Sequence, residues 1–113
     1  MNLIHAQHGE YLVVTVNAAR IDASAALEFK DSMNTIEAEH RKILLNLENV
    51  AFIDSSGLGA VVSVMKHLGP GRKMDLCALT PTVEKVFRLT RMDSIFAIYA
   101  TFEQAMSNQQ ATE

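Results

Sequence analysis

The chain has 113 residues, enough for one domain with a sizeable core and too few for two. Apolar residues make up 49% and charged residues 20%, the ordinary balance of a soluble globular fold. The net charge of −3 and the absence of tryptophan argue against a basic nucleic-acid face and an aromatic base-stacking platform. Cys77 is the only cysteine, so no internal disulfide can form. Placed in the apolar run from Met74 to Leu79, it reads as an inert buried thiol. With no leader pattern and no long apolar span, the expectation is a cytoplasmic domain without a membrane segment.

Leu3 to His8 and Tyr11 to Val16 are short runs separated by Gly9-Glu10, the pattern of an N-terminal β-hairpin. His5 and His8, three apart on a strand, fall on opposite faces, and no metal site is expected. Asn17 to Asp22 reads as a linker into a helix capped by Asp22 or Ser24 and running to about residue 40. Ala26, Leu27, Met33 and Ile36 give its apolar stripe, while Glu28, Lys30, Asp31, Glu37 and Glu39 give a solvated face.

Ile43 to Leu47 is a nearly continuous apolar run, the pattern of a strand covered on both faces. Val50 to Ile53 then carries the chain along the end of that strand into Asp54-Ser55-Ser56, residue types that favour helix N-caps. A helix follows from about Ser56 to His67, with Leu58, Val61, Val62 and Met65 as its buried stripe. Ala60, Ser63, Val64 and Lys66 fall on its other faces. Its N-terminus offers unpaired N–H groups and partial positive charge, a corner that suits an anionic group. Spacing by itself favours plain cap chemistry there. Gly57 and Gly59 each cost a helix up to about 1 kcal/mol relative to alanine. Their bare backbone would let a sheet, a phosphate or a partner come close, and Gly59 with Ser63 leaves a shallow surface beside the serines. His67 suits the dipole at the helix C-terminus.

Gly69-Pro70-Gly71 is a tight connection that lacks the Lys-Ser/Thr of a phosphate loop. Lys73 to Leu79 reads as a strand, and Thr80 and Pro81 as the cap and first position of a helix. Val83, Val86, Phe87 and Thr90 would face its core side; Glu84, Lys85, Arg88 and Arg91 would face water. Ile95 to Ala100 reads as a last strand, and a short helix opens at Thr101, with residues 107–113 as a frayed tail.

Leu45-Asn46-Leu47-Glu48-Asn49-Val50, followed by Phe52-Ile53-Asp54-Ser55-Ser56-Gly57-Leu58-Gly59, resembles the signature of the bacterial anti-sigma factor antagonists of the STAS family. The resemblance implies phosphorylation of Ser55, the first serine after the aspartate, with Ser56 as second candidate. It implies a serine-protein kinase that is itself an anti-sigma factor as partner, and a PP2C-type phosphatase that reverses the mark. Asp22 resembles the family's acidic residue near that serine, although Ala19-Arg20 stands where the family carries Gly-Glu.

The elements give an α/β domain over residues 1–113, ββαβαβαβα. A mixed sheet is expected, its N-terminal hairpin strand antiparallel and helices packed on it, in agreement with the STAS fold that the resemblance implies. The expected function is a phosphorylation-regulated protein-binding switch. A partner would dock on Asp22, Asp54, Ser56, Gly57, Leu58, Gly59 and Ser63 and leave when Ser55 is modified. The free protein is expected to be a monomer, with no cofactor, no nucleic acid and no catalysis. Ser55 lacks the Gly-x-Ser-x-Gly setting of a nucleophile, and no histidine has an evident route to it. The alternative is an unmodified STAS scaffold subunit of a larger lipid-transport or stress assembly.

Overall fold

A computed structural model describes residues 1–37 and 40–111. The hairpin forms from β1 (Asn2–His8) and β2 (Tyr11–Asn17), paired without interruption from Asn2 opposite Asn17 to His8 opposite Tyr11. The chain continues through β3 (Arg20–Ile21), α1 (Ala23–Glu37), β4 (Lys42–Asn46), β5 (Phe52–Ile53), α2 (Ser55–Leu68) and β6 (Lys73–Cys77). It ends with α3 (Pro81–Leu89), a 3₁₀ turn at Met92–Ser94, β7 (Ile98–Tyr99) and α4 (Phe102–Ala111). Among the described residues the main sheet has five strands in the order β1-β2-β4-β6-β7, with β1 antiparallel to β2 and the other pairs parallel. This is the expected mixed α/β sheet, with two short strands added.

Side-chain alternation sorts the helices. Leu12, Val14 and Val16 of β2, Ile43 and Leu45 of β4, and Met74 and Leu76 of β6 face one side. There they pack with Phe29 and Met33 of α1, Ala60, Val61 and Val64 of α2, and Val83 and Phe87 of α3. Tyr11, Val13, Leu44 and Cys77 face the other side and meet Ala105, Phe102 and Met106 of α4. Three helices cover one face and α4 the other.

Several boundaries differ from the sequence reading. In α1, Leu27 is 65% exposed and Phe29 is buried, because Ala26, Phe29, Met33 and Ile36 keep the helical period while Leu27 lies about 100° off it. In α2 the fully buried set is Gly57, Ala60, Val61, Val64 and Leu68, with Leu58, Val62 and Met65 half-buried. The apolar belt is wide because α2 packs on α1 as well as on the sheet. Ala60 and Val64 therefore face inward, against expectation. β6 stops at Cys77, since Ala78 takes a left-handed φ of 59°. The last strand shrinks to Ile98–Tyr99, because Phe96 turns into the core and meets Phe87 edge-on at 6.0 Å. Thr90 is exposed, its hydroxyl donating to the Val86 carbonyl at 2.7 Å. Thr80 holds the cap position of α3, yet its hydroxyl donates to the Val50 carbonyl at 2.7 Å and does not cap. α4 continues to Ala111, past the point where fraying was expected. Glu39, and the last two residues of the expected tail, lie outside the described residues.

A polar cluster sits beneath α4. Asp75, only 3% exposed, accepts from the Tyr11 hydroxyl, which reaches across β4 from β2. Lys73 Nζ lies 3.1 Å from the same carboxylate oxygen and 5.7 Å from the centre of the Tyr11 ring. Burial, and then the Asp75 carboxylate, hold the Tyr11 phenol well above its usual range. Cys77 is fully buried, and its thiol is pushed up to about 12, first by that burial and then by Glu48 and Glu103. Among the described residues no helix is long and apolar enough to cross a membrane.

Candidate functional site

The corner before α2 is built by a second, two-stranded ladder. β3 and β5 pair in parallel, Arg20 opposite Phe52 and Ile21 opposite Ile53. The amides of Ala51 and Phe52 both donate to the Ala19 carbonyl, at 2.8 and 3.1 Å. Each short strand runs directly into a helix, so the ladder sets the N-termini of α1 and α2 side by side. The sequence reading took the first of these segments as a linker and missed the pairing. The available signal was the repeated Ile-Asp, at Ile21-Asp22 and Ile53-Asp54, each pair just ahead of a helix.

One carboxylate joins the two helices. Asp54, in extended backbone, accepts the Gly57 amide of α2 on Oδ1 at 2.9 Å and the Ala23 amide of α1 on Oδ2 at 3.2 Å. Asp22 caps α1 in turn, accepting the Ala25 amide at 3.3 Å and the Ser24 hydroxyl at 2.7 Å on Oδ1. Its Oδ2 accepts from Arg20 Nε at 3.3 Å, and the Arg20 guanidinium lies 4.3 Å over the Phe52 ring. The Ser24 hydroxyl first, and then Arg20, hold the Asp22 carboxyl below its usual range. Asp54→Ala should cost about 2 kcal/mol, because one N-cap is worth about 1 and two amides lose their acceptor. Urea denaturation would show that loss, with Asp54→Asn between it and the parent.

Gly57 is the tight point of the corner. A Cβ there would stand 1.9 Å from the Ile21 carbonyl oxygen and 2.9 Å from Ile53 Cγ1. Its bare backbone therefore serves the close approach of α2 to β3, and Gly57 itself is buried. Ser55 and Ser56, the first two residues of α2, are both exposed. Asp54 does the capping, and among the described residues neither serine hydroxyl has a hydrogen-bond partner. Gly59 and Ser63 are exposed one turn apart and Leu58 is half-buried beside them. A Cβ at Gly59 would meet nothing within 4 Å. The geometry thus presents two unencumbered hydroxyls on a hydrogen-bonded corner, beside a shallow helix surface and two carboxylates.

Fold and corner together define a chain that belongs to the STAS domain family, whose model matches residues 2–105. An anti-sigma F factor antagonist of Paenibacillus polymyxa is 27% identical over 105 residues, covering 88% of each chain. The solved anti-sigma factor antagonist of Mycobacterium paratuberculosis superposes with a TM-score of 0.85 at 23% identity, covering 95% of this chain and 92% of that one. The Bacillus protein SpoIIAA, an anti-sigma factor antagonist, superposes with a TM-score of 0.76 in its unphosphorylated form, at 24% identity and 97% coverage of both chains. In its phosphorylated form the TM-score is 0.68.

Proposed function

We propose that this domain is an anti-sigma factor antagonist whose grip on its partner is switched by phosphorylation of Ser55. The observation that carries the reading is the state of that serine: exposed at the first position of α2, with the capping task already taken by Asp54. Unmodified, the surface formed by Asp22, Asp54, Ser56, Leu58, Gly59 and Ser63 docks on a serine kinase of the anti-sigma type, with Gly57 shaping it from below. Phosphorylation adds about −1.5 to −2 charges beside the Asp54 and Asp22 carboxylates. The Gly57 amide that would welcome a phosphate is already bonded to Asp54, so the helix end offers less compensation than a bare N-terminus. The charge stays at the surface and opposes docking without refolding the domain. A PP2C-type phosphatase restores the bound state. Ser55 is a substrate residue in this scheme, and Ser56 the second acceptor. The relatives described as anti-sigma factor antagonists, and SpoIIAA's existence in both phosphorylation states, support the reading.

The test is intact-mass analysis of the protein from its own cells, followed by titration of its co-purified partner. A single phosphate on Ser55 is expected, with Ser55→Asp binding about a hundredfold more weakly than Ser55→Ala, the scale of a like-charge contact. Tight binding by Ser55→Asp would sink the switch. An unphosphorylated protein with a stable partner in every growth condition would make it a scaffold subunit.

A further inference from the structure

The end of the sheet opposite the serine corner carries a different chemistry. α2 spans 14 residues, about 20 Å, and separates Ser55 from the connection that leads into β6. At that far end β4 and β6 begin side by side, the Lys73 amide donating to the Arg41 carbonyl at 2.8 Å. Each strand opens with a basic pair, Arg41-Lys42 and Arg72-Lys73, and the register sets Lys42 directly opposite Lys73. Like charges facing each other across a ladder destabilise it, so four cations here need a reason. Glu10 lies 3.3 Å from Lys42 Nζ and Asp75 3.1 Å from Lys73 Nζ, so each lysine has a carboxylate beside it. Arg72 Nε donates to the His40 carbonyl at 2.8 Å, which fixes the direction of that side chain.

These residues surround a cleft. Glu10, Arg41, Lys42, Gly71, Arg72 and Lys73 line a cavity of about 530 Å³, within the range of small-molecule sites. Among the described residues its lining holds four cations and one carboxylate, in a chain whose overall charge is −3. The Arg41 guanidinium fork, with the basic side chains of Lys42, Arg72 and Lys73 around the same concavity, matches an anion with more than one oxyanion group, because Arg pairs bidentately with phosphate and carboxylate.

We infer that this cleft is a binding site for a small polyanion carrying neighbouring phosphate or carboxylate groups. It shares no residue with the Ser55 corner and does not depend on the switch. The Glu10 carboxylate competes with the ligand for Lys42, which gives the site a signature: removing one lining charge weakens binding, and removing another strengthens it.

Isothermal titration of the full chain with inorganic pyrophosphate, and separately with citrate, tests this at fixed ionic strength. One-site saturable binding of at least one anion is expected; pyrophosphate preference would mark a phosphate site and citrate preference a carboxylate site. Arg41→Ala should weaken binding about tenfold and Arg41→Glu should abolish it, the loss of one charge-assisted contact and then its reversal. Glu10→Gln should tighten binding severalfold. Arg41 is exposed at a strand start, and a thermal melt of each variant checks that the fold survives. Unsaturable heats with both anions overturn the inference, as does equal affinity in the parent and Arg41→Ala.

Discussion

Gly57→Ala should unfold the corner of this domain, at a cost of about 3 kcal/mol or more, the scale of severe backbone overpacking. The new Cβ would fall 1.9 Å from the carbonyl oxygen of Ile21 and 2.8 Å from its carbon, and neither backbone atom can rotate aside as a side chain could. Relief requires α2 to lift from β3, which would strain the Asp54 bridge to the two helices. For a domain of this size the melting temperature should fall by about 10 °C or more. Gly59→Ala is the internal control. Two residues on and open to solvent, it should stabilise the helix by about 0.5–1 kcal/mol through propensity. Equal melting temperatures for the two variants would mean that α2 does not seat on β3 as described.

The buried pair beneath α4 should give the second large effect. Tyr11→Phe leaves the Asp75 carboxylate almost fully buried and without its hydroxyl donor, a loss of about 2 kcal/mol. Asp75→Leu strands the phenol instead and should cost a similar amount. The double variant Tyr11→Phe/Asp75→Leu should recover much of the sum, because an apolar pair leaves no unsatisfied group. Strict additivity in urea melts would show that the two groups do not act as a pair. The phenol also sets an alkaline limit. Its folded pKa lies above the unfolded value near ~10, so its contribution is complete below that pH. Above it the unfolded state releases the proton first, and stability falls by up to about 1.4 kcal/mol per pH unit. Tyr11→Phe should lack that component of the alkaline loss.

Long, strongly patterned segments were legible in the sequence. The β-branched run of β2, the double-sided apolar run of β4 and the Asp54-Ser55-Ser56 start of α2 each carry a local cause for their structure. The short elements were not. β3 and β5 have two residues each, and what makes them strands is their pairing with each other. Ile95 to Ala100 had strand composition, but Phe96 gains more by burial against Phe87 than by extending β7.

The candidate site divides the same way. Sequence by itself marked the place to look: a serine pair after an aspartate at a helix start, in a run that resembles one family's signature over gap-free residues. Those are local facts of residue type and spacing, and local physics is enough to read them. Only the tertiary structure decided which atoms do what. It gave the cap to Asp54 and left the serines unengaged, buried Gly57 under Ile21, and brought Ala23 of another helix to the same carboxylate. It also gathered two separate basic pairs into one cleft and joined Tyr11 to Asp75 across an intervening strand. The Asp54 cap on Gly57 is local, but the other contacts join residues 30 or more apart in sequence, and they exist only once strand register and sheet order are set, which no local window contains.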